Sequence, residues 1–207
     1  MLRSLRGMGA ATLVATMIMT VTAWAPEADA LEPAPAMAVG GLTSQPIGHY
    51  EFCRRKPSEC AVRTRPAAPP RVTDFGWEVV REVNIAVNQA IEPRTDREMY
   101  GVEEVWSYPQ LEGDCEDYVL LKRRLLMERG FDPNDLLITV VRKRDGEGHA
   151  VLTLRTAEGD FILDNLDDQV RLWTETPYDY LKRQASFDSG RWVAIDHGRD
   201  IAVGALD

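Results

Sequence analysis

The sequence is poor in the residues that build compact metal and redox centres: 207 positions contain only three cysteines and three histidines. Histidines this few, with no recurring spacing, leave little room for a structural zinc site. Positive charge is scarce as well. Twenty-four basic side chains against 33 acidic ones leave a net charge of -9, which counts against nucleic acid or an anionic membrane as the main partner, because both reward a basic surface. No internal repeat is present. Apolar residues are not lacking. At 44% hydrophobic the chain can offset its conformational entropy, and its length fits one domain or one domain with a short appendage.

Residues 1–30 read as an address label. Arg3 and Arg6 form a basic start, Gly7 to Ala25 is uncharged, and Ala28-Asp29-Ala30 supplies small residues at a cleavage site. The uncharged run is nearly long enough to span a bilayer. Its Ala, Thr and Gly content makes it only weakly apolar, which favours a cleaved signal peptide over an anchor. The expected product is a periplasmic or secreted protein with no membrane attachment after cleavage. Its charge stays at -9, since Arg3, Arg6, Glu27 and Asp29 leave together. In an oxidising compartment Cys53 and Cys60, which enclose six residues, read as a disulfide. Cys115 is then the odd thiol.

Residues 31–73 are rich in Pro, Gly and Ala and read as an extended segment with one compact island, Ile47 to Cys60. Globular patterning begins at Asp74 and defines a domain over 74–207. Trp77, Val80, Val83, Val87 and Ile91 recur at helical spacing, with Asp74 as the expected N-cap. A second helix starts after Asp114 and stops at Gly130, with Lys122, Arg123 and Arg124 as its expected solvated face. The period then becomes strand-like over Leu136–Val141, Ala150–Arg155, Phe161–Leu163 and Arg191–Ile195, and Thr174 to Pro177 reads as a turn into a short helix. Helices first and an antiparallel sheet afterwards is an α+β order.

Cys115 opens its helix, where unpaired N–H groups and the helix dipole favour a thiolate and can hold an oxyanion. His149 follows a Gly-flanked turn at a strand start, and Asp164 ends the next strand. If Ala157-Glu158 is a two-residue loop, His149 opposes Leu166, and Asp164 lies diagonal to it on the same face at about 7–8 Å. A thiolate, an imidazole and an orienting carboxylate form a nucleophilic triad. Each residue also has a structural reading, as a packed thiol, a turn histidine and a loop-starting aspartate. Gln110 and Trp106 are candidate oxyanion donors.

Gly113-Asp114-Cys115-Glu116-Asp117-Tyr118, Gly146-Glu147-Gly148-His149-Ala150-Val151-Leu152 and Leu163-Asp164-Asn165-Leu166 resemble, in order, the cysteine, histidine and aspartate motifs of the bacterial transglutaminase-like cysteine proteinases. The similarity runs over roughly residues 46–195. It implies a papain-like, transglutaminase-like core in which Cys115 is the nucleophile, His149 the general base and then acid, and Asp164 the residue that orients the imidazole. The expected function is hydrolysis of a protein substrate through an acyl-enzyme. The alternatives are acyl transfer to an amine, or a catalytically idle calcium-dependent binding module.

In the LapG-type branch of this family the residues beside the cysteine bind calcium, which maps onto Asp114 and Glu116. A physical motive points the same way: Asp114, Glu116 and Asp117 crowd negative charge around Cys115 and oppose a thiolate, a conflict that a hard divalent cation would relieve. The same residues also read without a metal, as a helix cap and two surface acids that complement the dipole.

Overall fold

In the computed structural model, residues 36–196 are described; the expected signal peptide and His197 lie outside the described residues. Helix α2 (Asp74–Ala90) is capped one residue earlier than expected, by Thr73, whose hydroxyl accepts the Gly76 N–H at 3.0 Å. Its Val80, Val83 and Val87 form one buried stripe, each worth about 1.5–3 kcal/mol when withdrawn from water. They pack against Tyr118, Val119 and Leu126 of α4 (Cys115–Glu128), which ends at Gly130 in the left-handed region, φ 91°.

Beneath these helices lies an antiparallel sheet of seven strands, so the expected α+β class holds. Its strands are β1 (Val39–Thr43), β4 (Leu136–Arg142), β5 (Gly148–Thr156), β6 (Gly159–Leu163), β7 (Arg171–Leu172), β8 (Asp179–Ala185) and β9 (Asp188–Ile195), in the order β1-β9-β8-β4-β5-β6-β7. Alternation along β5 separates two cores. Leu152 and Leu154 face the helices. Val151 joins Met37, Val141, Ile162 and Tyr180 on the other side.

Three expectations are corrected. Lys122 and Arg123 are not solvated: Lys122 Nζ donates to Asn84 Oδ1 at 2.8 Å, Arg123 Nε donates to the Leu136 carbonyl at 3.0 Å, and both side chains are buried. Residues 173–175 form a 3₁₀ turn that leads into β8 rather than a helix, because pairing with both β4 and β9 overrides local propensity. The segment before Asp74 is also more ordered than an extended arm, since β1 pairs with β9, and α1 (Ile47–Arg55) is followed by a 3₁₀ turn at Pro57–Cys60. Cys53 and Cys60 are joined, with a Cα–Cα distance of 5.5 Å.

A small parallel ladder matters for the site. β2 (Glu92–Pro93) pairs with β3 (Glu112–Gly113), which carries the start of α3 (Asp96–Tyr100) to the head of α4. Thr95 and Glu98 close a capping box around that short helix.

Candidate active site

Cys115 is the first residue of α4 and the only free cysteine among the described residues. Its Sγ lies 3.2 Å from Glu116 Oε2 and faces the backbone N–H of Ala150 on β5. Burial first, and then the Glu116 carboxylate, push the thiol well above its ordinary value. The thiol opens into a cleft of about 470 Å³ that His149, Glu104, Trp106 and Ile47 also line.

The β5–β6 hairpin has the expected register. Thr156 pairs with Gly159 and Leu152 with Leu163, so Ala157-Glu158 is the two-residue loop. His149 Nε2 and Asp164 Oδ1 are 2.8 Å apart, and both side chains are buried. That leaves Nδ1 as the ring nitrogen not engaged by Asp164. The Leu166 N–H also donates to Oδ1, at 3.0 Å, and the Tyr178 hydroxyl donates to Oδ2 at 2.5 Å. Burial opposes charge on Asp164, yet the bonds from His149, Tyr178 and Leu166 together hold its carboxyl below the ordinary value.

The acids around Cys115 are neither a cap nor a surface feature. Asp114 occupies the N-cap position without capping; its Oδ2 accepts the Asp96 N–H at 3.2 Å. Glu116 and Asp117 are buried, and Asp117 Oδ1 accepts the Ser107 N–H at 2.7 Å. Asp96, Asp114 and Glu116 each bring an oxygen to within 4.8 Å of the others. Asp96 Oδ1 and Asp114 Oδ1 are buried with no hydrogen-bond partner. Burial, and then the Asp114 charge, push Glu116 up to about 9; burial pushes Asp117 up to about 7. Orphaned hard oxygens and carboxylates that retain protons fit a site for an oxygen-loving divalent cation. Sequence reasoning missed Asp96, and no local pattern marks it, because the β2–β3 ladder brings it in from 18 residues away in the chain.

The two oxyanion candidates fare differently. Gln110 does not line the Cys115 cleft; it lines a separate cavity with Arg94, Tyr108 and Glu112. Trp106 does line the cleft, but its indole N–H donates to Glu104 Oε2 at 3.0 Å. The Cys115 N–H, at the first position of α4 and without an intrahelical partner, remains as a donor at the nucleophile. His49, within the island that begins at Ile47, is buried on α1 between the Trp106 and Trp192 rings, both at 5.3 Å. Burial, and then the Arg123 charge, lower its pKa to about 3, so it stays neutral.

Residues 39–200 match the family described as bacterial transglutaminase-like cysteine proteinase BTLCP. The chain belongs to that family. Among solved structures, this BTLCP chain is similar to calcium-bound Legionella pneumophila LapG, with a TM-score of 0.50 and 23% identity, covering 62% of this chain and 75% of that one. The EGTA-treated form of Legionella pneumophila LapG gives a TM-score of 0.49 and 24% identity over 58% and 68%. The likeness to the calcium-bound form shows a shared fold. No curated protein matches the chain. No helix among the described residues of this BTLCP chain is long and apolar enough to cross a membrane.

Proposed function

We propose that this chain is an exported cysteine peptidase that cuts a protein substrate through Cys115, His149 and Asp164, with calcium held beside the nucleophile. One observation carries the reading: His149, held from behind by a buried 2.8 Å hydrogen bond to Asp164, lines the same cleft as the free thiol at the head of α4. His149 Nδ1 takes the thiol proton, and Sγ attacks the scissile carbonyl carbon. Charge on the carbonyl oxygen is met by the Cys115 N–H at the head of α4. When the tetrahedral intermediate collapses, the imidazolium returns its proton to the leaving amine. Water, deprotonated by the same imidazole, then attacks the thioester and regenerates the thiol. Asp164 keeps the ring in place and stabilises its cationic form.

Asp96, Asp114 and Glu116 would hold the cation, which supplies positive charge where carboxylates otherwise disfavour a thiolate. The calcium-bound state of the similar Legionella LapG makes calcium the ion to try first. Export is supported by the pattern of residues 1–30 and by the Cys53–Cys60 bridge. In this reading residues 74–207 form the catalytic domain, and residues 31–73 contribute Pro46 and Ile47 to the cleft wall.

Comparing the exported proteome made with active protein and with a folded Cys115→Ala variant tests the reading. New N-termini should appear only with the active protein. Amine-labelled products in their place would indicate acyl transfer, and unchanged function in Cys115→Ala would sink the nucleophile assignment.

A further inference from the structure

The hydrogen bond to His149 uses one oxygen of Asp164, and a carboxylate held at one oxygen can still rotate. The second oxygen, Oδ2, is held by the Tyr178 hydroxyl at 2.5 Å. The Tyr178 ring also lies against the His149 imidazole, with centroids 5.5 Å apart and planes tilted by 56°. One side chain therefore touches both partners of the dyad. Sequence reading gave no sign of it, because Tyr178 follows Pro177 in an irregular connection, 14 residues beyond Asp164.

We propose that Tyr178 is a positioning residue of the triad: its hydroxyl pins Asp164 Oδ2 so that Oδ1 is presented to His149, and its ring backs the imidazole. The purpose of this arrangement rests on the peptidase reading above; the contacts do not. Tyr178 is not simply core. It is only partly buried on its turn, while Tyr180, two residues on, is the core tyrosine and pairs its hydroxyl with Thr176 at 2.8 Å. A part-exposed tyrosine that places its hydroxyl on a buried carboxylate gives up bonds to water for that one contact. Burial and the Asp164 charge both hold the phenol in its protonated form, so it acts as a donor.

The rest of the surroundings fits this role. Asn88 Nδ2 on α2 donates to the Asp164 carbonyl at 3.0 Å and fixes its backbone. The charged and titratable groups facing Asp164 are His149 from β5, Lys122 from α4, and Tyr178 and Tyr180 from the connection and β8; Asp167 faces Tyr178. Among the hydroxyls of the described residues only that of Tyr178 bonds the carboxylate. Tyr178 does not line the Cys115 cleft; it lines a separate small cavity together with Asp164.

The scarcity of histidine makes the test direct, since His49, His149 and His197 are the only imidazoles. Nitrogen-15 histidine labelling of the calcium-supplied protein, assigned with His149→Ala, reads the His149 Nε2 proton and its exchange with solvent. Iodoacetamide alkylation of Cys115 at one fixed neutral pH reads how well the ring is placed for the thiol. Tyr178→Phe should speed Nε2 proton exchange and slow alkylation, each by about tenfold or more, the size expected for loss of one hydrogen bond to a charged carboxylate. Tyr180→Phe removes a neighbouring hydroxyl and should leave both unchanged. Wild-type behaviour in Tyr178→Phe would overturn the inference, and so would an equal loss in Tyr180→Phe, which would mean general loosening. If His149→Ala alkylates as fast as wild type, the triad reading fails, while proton exchange still reports on Tyr178.

Discussion

Glu116 stands in greater conflict with its surroundings than any other acid near the thiol. With no cation, burial and Asp114 push it up to about 9 from an ordinary value of 4.5, and burial pushes Asp117 up to about 7 from 3.8. A raised folded-state pKa means that the stabilising proton is fully present below the unfolded value and is lost as pH climbs to the folded one. The EGTA-treated protein should therefore lose melting temperature between pH 5 and pH 8, through both residues. Calcium needs ionised oxygens, so its stabilising shift should be larger at pH 8 than at pH 5, and Asp96→Asn should shrink it. A calcium shift indifferent to both pH and Asp96 would remove the cation from this site. At this scale Cys115, His149 and Asp164 could be picked out of the sequence because each sits at the end of a patterned element. Asp96, Lys122 and Tyr178 could not, because tertiary neighbours alone determine what they touch.

Helix α1 is the element whose role changed most. Its Gly48 leaves no room for a side chain: an added Cβ would lie 2.2 Å from Trp106 Cδ1 and 2.9 Å from Glu104 Oε2. Arg55 at the other end of the helix donates to the Trp106 carbonyl at 2.8 Å. The helix therefore leans on the wall of the Cys115 cleft. Gly48→Ala should cost about 1–3 kcal/mol by overpacking, measured by urea unfolding, and should slow Cys115-dependent cleavage by displacing Trp106. Wild-type stability and rate together would show that α1 does not brace that wall. Strands β4, β5 and β6 and helix α4 were legible because a single period runs through each. β1 was not, since Val39-Gly40-Gly41-Leu42-Thr43 is exposed throughout and finds its partner in β9, at the far end of the chain. β8 misled because Asp179–Ala185 carries long polar side chains that suit a helix, yet it lies between two strands.

Across the whole molecule, the α+β order was readable from the succession of periods. What the succession could not show is that β1 and α1 join the domain they precede. The Cys53–Cys60 bridge closes a short loop within that region. Replacing both cysteines with serine should lower stability by about 2.5 kcal/mol on chain-entropy grounds, seen in denaturant melts under non-reducing conditions. Melts unchanged from wild type would show that packing alone holds the island.

The same bridge places two opposite demands on one small protein. In the proposed reaction Cys115 must stay a free thiol, whereas Cys53 and Cys60 must stay joined to clasp the island that begins at Ile47. A dithiothreitol-rich buffer, the usual choice for keeping a cysteine peptidase alive on the bench, guards the first and attacks the second. Weak reduction, or none with freshly prepared, calcium-supplied protein, is the chemical regime in which all three cysteine sulfurs keep the state that the fold assigns to them.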